Sequence, residues 1–141
     1  MITRTPGRET LLRRKIREHC TMVRWIEPTL GSSTGLPDCI IKINNKDIEL
    51  ELKAWDLNKN GKFAAKLRPT QVRYHMLAHQ TGKRTFIMVL SPSGYIYVMR
   101  NEDVNKWFGV DKPKGGIPAD RMICLSSLDD ARFADTLWLL M

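Results

Sequence analysis

The sequence predicts a single mixed α/β domain, a central sheet with flanking helices. Three observations carry that expectation. A strictly alternating run, Ile48-Glu49-Leu50-Glu51-Leu52-Lys53, follows the β-branched run 39–43 across Asn44-Asn45-Lys46, and this reads as a β-hairpin. Pro69 suits the first turn of a helix that Thr81-Gly82 would end, and an apolar strand follows at 85–90. Near the start, Leu12, Ile16 and Cys20 recur at a helical interval with arginines mostly on the other sides.

The elements follow in order. Residues 1–7 read as a flexible arm and 8–20 as the first helix. Residues 22–26 read as a short strand, and Pro28 with Gly31-Ser32-Ser33-Thr34-Gly35 as a mobile loop. Asp38 opens the first hairpin strand, whose composition suggests burial on both faces. The second hairpin strand alternates, with one polar and one apolar face. Residues 56–68 form a polar, basic loop. The strand 85–90 turns through Ser91-Pro92-Ser93-Gly94 into a strand at 95–99. A short helix is expected over 102–108, a loop at Gly115-Gly116, a late strand over 122–125 and a terminal helix over 128–141.

Length and composition fit one compact domain. The 141 residues are 43% hydrophobic and 27% charged, an ordinary globular balance. No apolar run is long enough to span a bilayer and no h-region follows the charged start, so the expectation is a soluble cytoplasmic protein. The three cysteines, Cys20, Cys39 and Cys124, form no CxxC pair, which argues against a zinc or disulfide framework. Net charge is +8, with one excess at Arg4, Arg8, Arg13, Arg14, Lys15 and Arg17 and another at Lys59, Lys62, Lys66 and Arg68. These excesses suggest a polyanion partner once a catalytic signature stands beside them.

Period-two geometry puts Glu49, Glu51, Lys53 and Trp55 on one side of the second hairpin strand. Alone, such a face is most simply an exposed surface with cross-strand ion pairs. Asp38 changes the reading, because a hairpin can bring it close to Glu51. Two neighbouring carboxylates repel unless a cation lies between them, and a hard ion such as Mg²⁺ suits an oxygen environment completed by water. Lys53 would then stand beside the attacking water, to orient or deprotonate it or to offset charge developing on phosphorus. The chemistry indicated is metal-dependent phosphodiester hydrolysis.

Gly35-Leu36-Pro37-Asp38, twelve residues, then Glu51-Leu52-Lys53 resembles the PD-(D/E)xK nuclease signature. Gln71, near the start of the next helix, is similar to the Gln that follows this motif in the VRR-NUC branch. The resemblance spans residues 9–90. It implies a restriction-endonuclease-like core, Asp38 and Glu51 as metal ligands with the Leu52 carbonyl, Lys53 as catalytic lysine, and Gln71 supporting the metal network or a phosphate. It implies Mg²⁺, with Mn²⁺ able to substitute. Many members also use a Glu of the first helix. Among Glu9, Glu18 and Glu27, Glu9 is preferred because it shares a face with Leu12 and Ile16.

The basic residues acquire a role in this frame. Lys59, Lys62, Lys66 and Arg68 lie between Lys53 and Gln71 in sequence and could follow a DNA backbone, with Arg13 and Arg14 extending the track. Such contacts position DNA without reading bases, which favours a structure-dependent endonuclease of phage or mobile-element type, junction resolution included. The apolar cluster Leu137-Trp138-Leu139-Leu140 could support a homodimer or dock on the domain's own sheet, and sequence leaves both open. Other readings are a nicking or end-processing nuclease and a non-catalytic nucleic-acid-binding protein. His75 and His79, four apart, lack a third ligand and read as a surface or half-buried pair rather than a metal site. Ser32 and Ser33 could touch phosphate or simply be solvated. Trp55 could stack on a base or cover the sheet's end. Tyr95, Tyr97 and Trp107 read as packing residues, and Cys39 as a small core residue.

Overall fold

A computed structural model describes residues 7–26 and 35–141. Residues 1–6 of the expected arm, and Glu27, Pro28, Ser32 and Ser33 of the expected loop, lie outside them. The order is α1 (Arg8–His19), β1 (Val23–Trp25), β2 (Cys39–Ile43), β3 (Lys46–Lys53), α2 (Pro69–Gln80), β4 (Thr85–Leu90), β5 (Tyr95–Arg100), α3 (Val104–Phe108), β6 (Ile123–Ser127) and α4 (Phe133–Thr136). The predicted α/β architecture is thus observed.

The six strands lie in sequence order in one sheet. All neighbours are antiparallel except β3 and β4. A parallel pair needs a crossover, and α2 lies within that connection. The β2–β3 turn is made by Asn44 and Asn45, at φ 50° and 63°, the left-handed conformation that a tight hairpin turn demands and Asn tolerates.

Alternation in the strands divides the core into two layers. Leu50 and Leu52 of β3, Phe86 and Met88 of β4 and Ile96 and Val98 of β5 pack with Leu12 and Ile16 of α1 and with Phe133 and Leu137. On the other face, Ile87, Val89 and Met99 pack with Trp55, Phe63, Val104 and Ile117. Burial of this kind contributes about 1.5–3 kcal/mol per large apolar side chain.

Several expectations are corrected. β3 is buried from Ile48 through Leu52, because α2 covers the polar face that alternation alone would leave exposed. In β2, Cys39 and Ile41 are buried but Lys42 is exposed, so this strand near the sheet's edge is covered on one face rather than two among the described residues. The segment 56–68 is an anchored loop. Phe63, fully buried, exchanges backbone hydrogen bonds of 2.8 and 3.0 Å with Ile117. The C-terminal helix is only one α-turn, continued by a 3₁₀ segment, Leu137–Leu140. Leu137 and Leu140 dock on the core while Trp138 and Leu139 remain exposed. Tyr95, read as a packing residue, is also exposed. No described helix is long and apolar enough to cross a membrane.

Candidate active site

The site lies where β3 ends: Glu51 and Lys53 are on β3 itself, Asp38 comes from the approach to β2 and Gln71 from the first turn of α2. Asp38 immediately precedes β2. Its backbone N–H donates to the Leu50 carbonyl at 2.9 Å, and its own carbonyl accepts the Ile26 N–H at 2.9 Å. Gly35 sets the approach to it. At φ +74° a Cβ there would stand 2.1 Å from the Thr70 carbonyl oxygen, so only glycine lets this loop press against the first turn of α2.

The Asp38 carboxylate is held at both oxygens. Oδ2 accepts the Leu52 N–H at 2.8 Å, and Oδ1 meets the Arg13 guanidinium at 2.7 Å. Glu51 is buried beside it. Its carboxyl is pushed up to about 9, first by burial, then by a hydrogen bond with Asp38 and by that residue's charge, with Lys53 opposing and Glu9 adding to the rise. A carboxyl buried beside a second carboxylate is favoured in its protonated form.

Gln71 fixes Glu51. Its Oε1 accepts the Arg68 N–H at 2.9 Å, and its Nε2 donates to Glu51 Oε1 at 2.5 Å. The backbone contact leaves the amide one orientation, with its donor aimed at the carboxyl. Lys53 is half-buried and makes no hydrogen bond or ion pair among the described residues. Its charge acts on both Glu51 and His75.

The structure therefore brings together Asp38, Glu51, Leu52, Lys53 and Gln71. Glu9 is exposed on the first turn of α1. It reaches the site through its charge on Glu51 rather than through a hydrogen bond among the described residues. Among the described residues no cluster of three His, Cys, Asp or Glu could hold a metal.

The basic residues divide. Arg13 is engaged with Asp38, whereas Arg14 is exposed. Lys15 is buried and donates to the Asp130 carbonyl at 2.8 Å. Lys59, Lys66 and Arg68 are exposed and Lys62 is half-buried. The Lys66 carbonyl accepts the Trp55 indole N–H at 3.0 Å, so Trp55 is a packing residue that ties the basic loop to the end of β3. His75 is fully buried and His79 exposed, so they share no site.

Two features escaped the sequence reading. Arg8 donates to the Trp55 carbonyl at 3.0 Å and the Leu90 carbonyl at 3.1 Å, and pairs with Asp56. It thereby clamps the segments leaving β3 and β4. Glu49 is a buried structural carboxylate. It accepts the Tyr74 hydroxyl and pairs with Lys83 at 2.5 Å. No local pattern signals either contact, because the partners come from distant segments.

No protein-family model and no curated protein matches the chain. Among solved structures, the chain is similar to the Holliday junction resolvase Hjc of the archaeal hyperthermophile Archaeoglobus fulgidus, at 14% identity and a TM-score of 0.48, over 67% of this chain and 74% of that one.

Proposed function

We propose that this protein is a metal-dependent endodeoxyribonuclease of the PD-(D/E)xK type, with a VRR-NUC-like Gln. It hydrolyses phosphodiester bonds in structured or branched DNA. The observation that carries the reading is the Asp38–Glu51 carboxyl pair, with Lys53 beside it and the Gln71 donor fixed on Glu51. The motif spacing recognised in the sequence supports it.

The donor set fits a hard divalent cation. Asp38 and Glu51 offer carboxylate oxygen, and Leu52 offers its carbonyl. In a strand the N–H and C=O of one residue leave on the same edge, and the Leu52 N–H faces Asp38. When bound, Mg²⁺ or Mn²⁺ supplies charge that lets both carboxylates ionise, acidifies water and offsets charge developing on the phosphoryl oxygens.

The chain's own groups do the rest. Gln71 holds the Glu51 carboxyl in one orientation. The Lys53 ammonium lies on the same strand face as Glu51. There it orients the attacking water or stabilises the phosphoryl oxygens as charge builds. Glu9 adds negative charge at the same end of the strand. Lys59, Lys62, Lys66, Arg68 and Arg14 hold the DNA backbone, which recognises shape rather than base sequence. A homodimer, with exposed Trp138 and Leu139 at its contact, belongs to the same reading.

The test is a gel cleavage assay on four-way junction, flap, single-stranded and linear duplex DNA with Mg²⁺, Mn²⁺ or EDTA. Cleavage is expected in either metal and not in EDTA. Lys53→Ala should lower the rate by about 10²–10³ or more while the circular dichroism spectrum and DNA affinity stay near wild type. Binding without cleavage under every condition would replace this reading with that of a non-catalytic DNA-binding protein.

A further inference from the structure

The two donors on Asp38 differ in kind. Leu52 N–H belongs to the backbone of β3 and cannot leave Oδ2 without moving a strand. Arg13 contacts Oδ1 through a long side chain, 36% exposed, against a carboxylate that is 20% exposed. Solvent reaches this contact, and the side chain has the freedom to leave it. On Glu51 the equivalent donor is Gln71, which is buried and engaged at both ends of its amide. Of the side-chain donors described on the carboxyl pair, Arg13 is therefore the displaceable one.

Arg13 also has a second seat. Its guanidinium carbon lies 5.1 Å from the centroid of Trp25, and Arg17 sits 5.4 Å from the same ring. Trp25 is fixed relative to Asp38, since it pairs with Cys39 in the β1–β2 ladder. A guanidinium stacked on an aromatic face keeps a favourable contact after losing its carboxylate.

We propose that Arg13 is the resident counter-ion of Asp38 and is exchanged for the divalent cation when the site loads, withdrawing from Oδ1 while remaining on Trp25. This rests on the metal-site reading given above. A guanidinium and a divalent cation on one carboxylate oxygen repel, so the two compete. The exchange keeps Asp38 compensated in the cation-free protein and makes cation affinity lower than the carboxylates alone would set. A purely structural ion pair would instead hold Asp38 in its ligating pose, and its removal would weaken the site.

The opposite signs make the test. Mn²⁺ is titrated calorimetrically into DNA-free protein at fixed pH and ionic strength. The variants are Arg13→Gln, Arg13→Met, which keeps an aliphatic stem against Trp25, Arg13→Lys, which keeps the charge, and Asp38→Asn. The neutral variants are expected to bind Mn²⁺ about three- to tenfold more tightly than wild type, Arg13→Lys near wild type, and Asp38→Asn much more weakly. Equal or weaker binding by folded Arg13→Gln and Arg13→Met overturns the exchange. Should those variants fail to fold, the Arg13 Nε–Hε resonance of the wild type decides. It should shift as Mg²⁺ is added, and an unmoved resonance at saturation overturns the proposal. Wild-type binding that Asp38→Asn abolishes, with the neutral Arg13 variants unchanged, sinks the exchange and leaves the metal site standing. No binding by wild type, or full binding by Asp38→Asn, sinks both.

Discussion

His75 shows what it takes to bury the polar face of β3. The ring is fully buried, its Nδ1 lies 2.6 Å from Thr85 Oγ1, and its Nε2 has no hydrogen-bond partner among the described residues. Burial, and then the Lys53 charge, push its pKa down to about 4 from an ordinary 6.5. Above the unfolded value both states hold a neutral ring, so the contribution to stability is complete. As pH falls from 6.5 towards 4, the unfolded chain takes up a proton that the folded ring refuses, and stability is lost, by about 3 kcal/mol over that window. Urea unfolding of wild type and His75→Leu across this range should show a steeper loss on acidification for wild type. Parallel profiles would mean that the ring is not held neutral. At this scale the sequence was legible where chemistry is local. The alternation of β3 placed Glu51 beside Lys53, and Gln71 followed at a recognisable distance. The pairing of Arg13 with Asp38 was not legible, because the two are 25 residues apart, a distance at which charge counting carries no geometry.

At the scale of elements, α2 works as a cover whose polar side chains match β3 and β4. Gln71 meets Glu51, Tyr74 meets Glu49 and His75 meets Thr85. This explains why an alternating strand is buried on both faces. Periodicity gave the strand and the helix correctly, but not that one would be laid over the other, since that follows from the parallel β3–β4 pairing. The terminal helix was overestimated for a related reason. Its apolar residues supported a long helical reading, yet docking Phe133, Leu137 and Leu140 on the sheet is met by short turns. Two predictions belong here. Lys83→Ala should destabilise the fold by about 1–2 kcal/mol, modest because Lys83 is half-exposed and water can replace part of its contact with Glu49. Chemical denaturation measures it, and an unchanged midpoint would remove Glu49 from the structural account. Gly35→Ala should cost about 2 kcal/mol or more, since it combines a positive φ with a clash against the Thr70 carbonyl. Gly82→Ala is the control. It has a similar φ, +78°, but open space around the added methyl, and should cost about 1 kcal/mol. Equal losses would show that the Gly35 loop does not bear on α2.

The whole molecule places a small acidic centre within a net charge of +8. That arrangement makes the loop 56–68 decisive, because its lysines are held on a frame rather than on a free tether. Phe63 anchors the loop to Ile117, and a Cβ on Gly116 would stand 2.4 Å from the Phe63 carbonyl oxygen, so the two segments meet at backbone distance. Within it, Asn58 Oδ1 accepts the backbone N–H groups of Asn60 and Lys62 at 2.9 and 3.1 Å, shaping the turn that carries Lys59. Under the proposed function, lysines carried on a loop backbone fixed in this way meet phosphates in register with the scissile bond. Each phosphate neutralised releases counterions and contributes about −0.9 to the slope of log K against log salt on duplex DNA. The double variant Lys59→Ala with Lys62→Ala should therefore flatten that slope by about 1.8 if each lysine meets one phosphate. It should weaken binding similarly across duplex sequences while leaving the cleavage rate at saturating DNA near wild type. Fluorescence anisotropy with a labelled duplex, in EDTA and between about 50 and 200 mM salt, gives the slope. Single-turnover cleavage in Mg²⁺ gives the rate. An unchanged slope would remove the loop from the DNA track. A flattened slope with a collapsed single-turnover rate would instead show that the loop shapes the site itself, through the bond from the Trp55 indole to the Lys66 carbonyl at the end of β3.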